Sequence, residues 1–139
     1  MTRLTIRRQE LLELEHQAVW LFGTIAARSS TLRKLALASK KQRETSRDKL
    51  RAELLAAEET PSSSHPGYPN EGLDSDEDMR LAARTLLGQL NTVQLELVAL
   101  THGSDRAAVV TMLTNTAAAS TRWGAAPSAF PGLDPKNGR

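Results

Sequence analysis

The segment LLELEHQAVWLFGTIAA, residues 11–27, decides the fold of this chain. Its apolar residues alternate between spacings of three and four, which puts them on one face of an α-helix. The face consists of Leu11, Leu14, Ala18, Leu21 and Ile25, and it is widened by Leu12, Val19, Phe22 and Ala26. The pattern predicts a first helix from about Leu4 to Ala27 that buries a broad apolar stripe.

A second helix is predicted after a short turn. Ser29, Ser30 and Thr31 supply the turn and a helix N-cap. The apolar positions of this helix are Leu32, Leu35, Ala36, Leu50, Leu54 and Ala57, and the helix is expected to end near Pro61. Because the turn is short, we expect the two helices to pack as antiparallel neighbours.

The clearest internal boundary is the stretch TPSSSHPGYPNEGLD, residues 60–74. Its prolines and glycines cannot sustain a helix, which predicts a long crossover or exposed loop. Ser75 then begins a third helix with Asp78 three residues later, an arrangement close to a capping box. The buried stripe of the third helix is predicted at Leu86, Leu90, Val93, Leu97 and Leu100.

A fourth helix completes the pattern. His102 and Gly103 end the third helix, and Ser104 with Asp105 caps the fourth. Its inward positions are predicted to be Val109, Met112, Leu113, Thr116 and Ala119. Two helical hairpins with a longer connection predict an all-α, up-and-down four-helix bundle over residues 1–122. Residues 123–139 are expected to form an extended Pro/Gly-rich tail, partly packed on the bundle through Trp123, Phe130 and Leu133.

Composition narrows the class of protein. A chain of 139 residues suits one domain, and its lack of cysteine excludes disulfides and thiolate chemistry. The N-terminus has no apolar run followed by a small-residue cleavage site, and no apolar stretch is long enough to span a membrane. We therefore expect a soluble, cytoplasmic protein without a membrane partner.

The second helix contains eleven residues without an apolar side chain, SKKQRETSRDK at residues 39–49. Extending the apolar stripe through this stretch directs Ser39, either Gln42 or Arg43, and Ser46 toward the neighbouring helices. In an antiparallel pair, Glu15 and Arg43 lie about equally far from the turn near Ser30, so they can form an ion pair. The sequence thus predicts a polar core layer of Glu15, His16, Ser39 and Arg43.

The same region offers one arrangement typical of a metal site. Di-iron bundles use a Glu-x-x-His pair from each of two helices and a Glu from each of the others. This chain has one such pair, Glu13 and His16, with Glu15 beside it. Glu13, Glu15 and His16 are therefore candidate ligands for iron or manganese, but a single pair is weak evidence. We expect no metal or other cofactor, and a buried ion pair with a hydrogen-bonded His16 instead.

Several motifs together resemble a known family. They are LEHQAVWLFG at residues 14–23, RETSRD at residues 43–48, Asp105 with Arg106, RWG at residues 122–124 and AFPG at residues 129–132. The chain is similar over roughly Leu14 to Pro135 to an actinobacterial ferritin-like family catalogued as a domain of unknown function. The resemblance implies a ferritin-like bundle and no particular activity. Arg43 stands where relatives can have His, and Gln89 where they can have an acid, so we hypothesise that a salt bridge has replaced a metal.

Positive charge is concentrated around the second helix. Nine cationic residues and two acidic ones between Arg28 and Arg51 leave a local charge of +7, against +2 for the whole chain. The exposed basic face is predicted at Lys40, Lys41, Arg47 and Arg51. This face suggests binding to nucleic acid or another anionic surface, but the cluster has no interleaved aromatic residues for stacking on bases. We therefore do not expect nucleic acid as a partner.

The sequence favours a function without catalysis. It has neither a G-x-S-x-G nucleophile motif nor a phosphate-binding loop. We expect a metal-free bundle that acts by binding or assembly; the alternatives are a ferritin-like metal-binding oxidase and binding to anionic surfaces through the basic face. The wide apolar stripe of the first helix also predicts a homodimer or a protein partner, provided that part of it stays exposed.

Overall fold

A computed structural model describes residues 1–69 and 72–127 of the chain. Within these residues it has four helices and no β-strand: α1 (Arg3–Arg28), α2 (Arg33–Ala56), α3 (Asp76–Leu100) and α4 (Gly103–Arg122). The predicted all-α four-helix bundle is confirmed. No helix in the described part of the chain combines the length and the apolar character that crossing a membrane requires.

The helices run up, down, down and up. Arg8 of α1 pairs with Glu53 near the end of α2, so these helices are antiparallel. The start of α1 lies against the end of α3 through Arg7 and Glu96, and the end of α1 lies against the start of α3. As α2 and α3 therefore run in the same direction, the chain between them must travel the full length of the bundle.

The described residues of the crossover, 57–69 and 72–75, follow α1 along that path. The Gln9 side chain donates a hydrogen bond to the Thr60 carbonyl and accepts two from Ser62, at 2.8–3.0 Å. At the other end, Ser29 donates a hydrogen bond of 2.7 Å to Asp76, the first residue of α3. Leu73 is buried in the core. The predicted loop is therefore attached to the bundle at both ends.

The core is mainly apolar, and a polar layer crosses its centre. Its largest fully buried side chains are Trp123, Phe22, Leu11, Leu12, Ile25, Leu50, Leu54, Leu87 and Leu90. Phe22 stacks on Trp123 with ring centroids 5.2 Å apart. Trp123, predicted to start an extended tail, is thus a core residue at the C-cap of α4. Phe130 and Leu133 lie outside the described residues.

Some helix ends lie where the sequence predicted them, and others do not. Ser75 caps α3 by accepting a hydrogen bond from the Asp78 amide at 3.1 Å, as its position indicated. The predicted cap of α4 at Ser104 and Asp105 was wrong: this helix begins at Gly103, and its N-cap, His102, forms no side-chain capping bond. Similarly, α2 ends at Ala56, five residues before Pro61, and Glu58 takes a positive φ of 60°.

The broad apolar stripe of α1 is covered inside the chain. Leu11, Leu12, Leu21 and Phe22 are all buried by the other helices. Leu14 and Val19 are half-buried. The stripe is wide because α1 packs against both α2 and α3. It therefore gives no exposed surface of the kind on which the predicted homodimer depended.

Candidate functional site

A buried ion pair lies at the centre of the bundle. Arg43 of α2 donates from Nη1 to Glu15 Oε1 of α1 at 3.2 Å, and Oε2 is 3.5 Å away. Both side chains are almost completely buried, Glu15 at 0% and Arg43 at 3% exposure. The two residues meet because α1 and α2 are antiparallel about a short turn and both lie mid-helix.

The ion pair belongs to a network that joins all four helices. Arg43 Nη1 also contacts the Thr116 hydroxyl of α4 at 3.3 Å, and Gln94 of α3 donates to that hydroxyl at 3.0 Å. Asn91 donates to the Gln94 amide oxygen at 2.9 Å and to the Leu113 carbonyl at 3.1 Å. Asn91, Gln94 and Thr116 are buried. Every buried polar side-chain atom among the described residues has a partner.

Sequence reasoning missed Asn91 and Gln94 as members of this layer. Both lie on the buried face of α3, between the apolar positions Leu87, Leu90 and Leu97. A signal was present, since a polar residue that interrupts an apolar stripe at helical spacing points into the core. Gln89, which the family resemblance singled out, is instead exposed.

Burial controls the ionisation of Glu15. Removal of the carboxylate from water raises its pKa from 4.5 to about 7, even though Arg43, a hydrogen bond from Ser46 and the charge of Arg47 each lower it. The desolvation of a fully buried carboxylate therefore outweighs the attraction of its partners. Near neutral pH the Glu15 side chain exists in both forms, and Arg43 alternates between a neutral and a charged neighbour.

His16 and Ser39, the other two residues of the predicted layer, lie outside this network. His16 Nε2 donates to the Ser62 carbonyl of the crossover at 3.0 Å. Ser39 accepts a hydrogen bond from Trp123 Nε1, also at 3.0 Å. Both side chains are buried. His16 therefore holds the crossover against α1, and Ser39 holds the end of α4 against α2.

The three candidate metal ligands point to different places. Glu13 is partly exposed and faces His65 of the crossover, with 3.7 Å between Oε2 and Nε2. Glu15 faces the interior and His16 the crossover. In the ranges that the structure describes, no three His, Cys, Asp or Glu side chains converge as metal ligands would. The layer around Glu15 instead contains a guanidinium, amides and a hydroxyl, which do not fit a di-iron site.

A groove opens beside the ion pair, between α2 and α4. It has a volume of about 410 Å³, and Arg43 contributes to its lining. Lys49 and Arg122 add two more cationic side chains, both exposed. The other residues that line it are Gln42, Thr45, Ser46, Ala108, Thr111, Met112 and Asn115. Among these described lining residues there are three cations and no carboxylate.

The four residues of the predicted basic face lie on different sides of α2 and form two groups. Lys40 and Arg47, seven residues apart, lie on one side of the helix, and both line a second cleft against α1 and the crossover. Lys41 and Arg51 are exposed. Lys40 and Arg47 also form surface ion pairs with Glu44 and Asp48, at 3.5 and 3.0 Å.

The chain has relatives in sequence and in structure. It is similar to the crystal structure of a conserved hypothetical protein, rv2844, from Mycobacterium tuberculosis, with a TM-score of 0.80 and 24% sequence identity. The match covers 86% of this chain and 93% of that protein, and it shows a shared fold. No curated protein is similar to the chain. Residues 8–135 match a family described as a domain of unknown function, DUF4439, and the chain belongs to that family.

Proposed function

We propose that this protein is a binding protein for a small anion, which occupies the groove between α2 and α4. The observation that carries the proposal is the convergence of Arg43, Lys49 and Arg122 on one groove whose described lining has no carboxylate. Hydroxyl and amide groups of Ser46 and Asn115 line the same space. Arginine and lysine with neutral hydrogen-bonding groups are the side chains that recognise carboxylates and phosphates.

The ion pair at the base of the groove supports a bound anion. Arg43 is held by Glu15 and Thr116 through a single nitrogen, Nη1. A guanidinium has further donors, and a fixed one loses little conformational entropy when it binds an anion. When Glu15 takes up a proton, the charge of Arg43 loses its partner. The affinity for an anion should therefore increase as the pH falls through about 7.

Sulfate is a suitable probe because its charge is constant between pH 5 and 8. We expect saturable chemical-shift changes in ¹⁵N-labelled protein on titration with sulfate, at amides that border the groove on α2 and α4. Arg122→Ala and Lys49→Ala should each weaken binding, because both side chains line the groove. Lys41→Ala is the matched control, an exposed lysine of α2 that does not line it.

Two results would contradict the proposal. One is a shift that grows linearly with sulfate and never saturates, which indicates general ionic strength. The other is an equal loss of affinity in Lys41→Ala, since this would show that total charge and not the groove attracts the anion.

We also propose that the protein is related to ferritin-like proteins and that it acts without catalysis. One long crossover between two helical hairpins is the connection that ferritin-like bundles use, which supports the relationship. A binding role without a metal is supported by Arg43 in the polar layer, because a guanidinium cannot coordinate a cation. A homodimer or protein partner remains a prediction.

A further inference from the structure

A second cleft lies on the opposite side of α2, between α1, α2 and the crossover. Its volume is about 520 Å³, within the range usual for small-ligand pockets. Residues from all three segments line it: Trp20 and Gly23 from α1, Lys40 and Arg47 from α2, and Tyr68 from the crossover. It shares no lining residue with the groove between α2 and α4.

Two aromatic rings form one part of this cleft. Trp20 and Tyr68 meet edge to face, with centroids 5.8 Å apart and an angle of 60° between the ring planes. Tyr68 is fixed further by His65, whose backbone amide donates to the Tyr68 hydroxyl at 3.2 Å and whose ring lies 5.3 Å away. Both aromatic residues are half-buried, so a flat ring can pack against them.

Gly23 provides space between the aromatic and the cationic parts. A methyl group built on this residue would lie 3.6 Å from Cε of Lys40, which is ordinary contact. The Lys40 stem therefore passes directly over the glycine. A large side chain at this position would occupy the cleft.

The cationic part consists of Arg28, Lys40 and Arg47. Lys40 and Arg47 pair with Glu44 and Asp48 at the surface, and such exposed pairs are weak enough to rearrange around a stronger anion. None of the described residues that line the cleft is acidic. Tertiary packing thus places aromatic residues of α1 and the crossover beside the cations of α2, which have no aromatic neighbours in the sequence.

We propose that this cleft binds a small ligand that joins an aromatic ring to a phosphate group, the chemistry of a nucleoside monophosphate. The ring packs against Trp20 and Tyr68, and the phosphate is held by Lys40 and Arg47, which lie two turns apart on the same side of α2. The cleft presents one aromatic pair, which suits a single base. A continuous nucleic-acid strand would use a row of such pairs along a basic groove.

Adenosine 5′-monophosphate is the probe, and isothermal titration calorimetry on the full chain is the measurement. We expect saturable binding of the monophosphate, with adenosine and inorganic phosphate each weaker by about tenfold or more, because each lacks one half of the recognised structure. Lys40→Ala should lower the affinity for the monophosphate by about tenfold. Lys41→Ala, one residue away and outside the cleft, should leave the affinity unchanged.

Two further variants test the location. Gly23→Leu should abolish binding by filling the cleft. Tyr68→Ala, which changes a half-buried residue of the crossover and not a helix, should weaken binding even if Gly23→Leu does not fold. Inorganic phosphate that binds as tightly as the monophosphate would overturn the proposal, and so would binding only to an oligonucleotide. The proposal would also be overturned if Lys49→Ala lost binding of the monophosphate and Lys40→Ala retained it. The ligand would then occupy the groove of the proposed anion site.

Discussion

At the scale of single residues, the contact between Glu15 and Arg43 is the most informative feature. The two charges attract each other at 3.2 Å, yet burial raises the pKa of Glu15 to about 7. An ion pair that is buried this deeply does not by itself stabilise a fold, because each charge has lost its hydration. Its clearest consequence is a dependence of stability on pH near neutrality.

The first prediction concerns that dependence. The folded protein holds a proton on Glu15 up to a pKa of about 7, and the unfolded chain only up to 4.5. The stability that protonated Glu15 contributes is thus fully present below 4.5 and is lost as the pH rises through 7. The free energy of unfolding of the wild type minus that of Glu15→Gln should fall by on the order of 3 kcal/mol across this range.

Urea denaturation at several pH values measures the difference. Between pH 8 and 9 Glu15 is ionised in both the folded and unfolded states, so the difference should stay constant there and serves as an internal control. If the unfolding free energy of the wild type minus that of Glu15→Gln rose between pH 5 and 8, the attraction of Arg43 would exceed the cost of burying the Glu15 carboxylate.

At the scale of helices, the position of a helix end depends on contacts with residues that are distant in sequence. The end of α4 is an example. Trp123 at its C-cap is buried against Phe22, and Arg84 of α3 donates to the Trp123 carbonyl at 3.0 Å. Gly124 then turns the chain with a φ of +100°, a conformation that L-residues with a Cβ avoid.

The second prediction uses two glycines that should respond in opposite ways. Gly124→Ala should lower the free energy of unfolding by about 1–2 kcal/mol, because its φ is positive and a Cβ would lie 3.0 Å from Nη1 of Arg84. Gly88→Ala, in the interior of α3 with open space around it, should raise stability by about 0.5–1 kcal/mol. Thermal and urea denaturation of both variants provide the measurement, and a stabilised Gly124→Ala would contradict the role of Gly124 in ending α4.

At the scale of the whole molecule, the two hairpins are held together by more than the crossover. The hairpins of α1 with α2 and of α3 with α4 share the polar network and the Phe22–Trp123 stack. Arg7 with Glu96 and Ser29 with Asp76 join them at opposite ends. The crossover itself is exposed around Pro66 and Gly67.

The third prediction follows from this arrangement. A specific protease site inserted between Pro66 and Gly67 should be cleaved in the native protein, because surface loops are accessible to proteases. The two fragments should still elute together in size-exclusion chromatography, with helical circular dichroism retained. Separation of the fragments under native conditions would mean that the crossover, and not the packing of α1 on α3, holds the bundle together.

The sequence by itself determined the number of helices, their order and the position of the crossover. These follow from apolar spacing at residues 11–27 and from the prolines and glycines at residues 60–74, and both signals act locally. The polar residues of α2 likewise indicated that Ser39, either Gln42 or Arg43, and Ser46 point inward. Of these, Ser39 and Arg43 are buried, and Gln42 is exposed. The N-cap at Ser75 is local too, because the side chain binds an amide only three residues away.

Only the tertiary structure decided which polar groups meet. His16 follows Glu15 in sequence, but successive helical residues are about 100° apart around the axis, so one contacts the crossover and the other Arg43. Trp123 became a core residue because the seam between α2 and α4 places Ser39 opposite it, 84 positions earlier. Trp20 and Tyr68 came beside Lys40 because the crossover runs along α1. Such contacts depend on how distant segments pack, and spacing along the chain does not encode them.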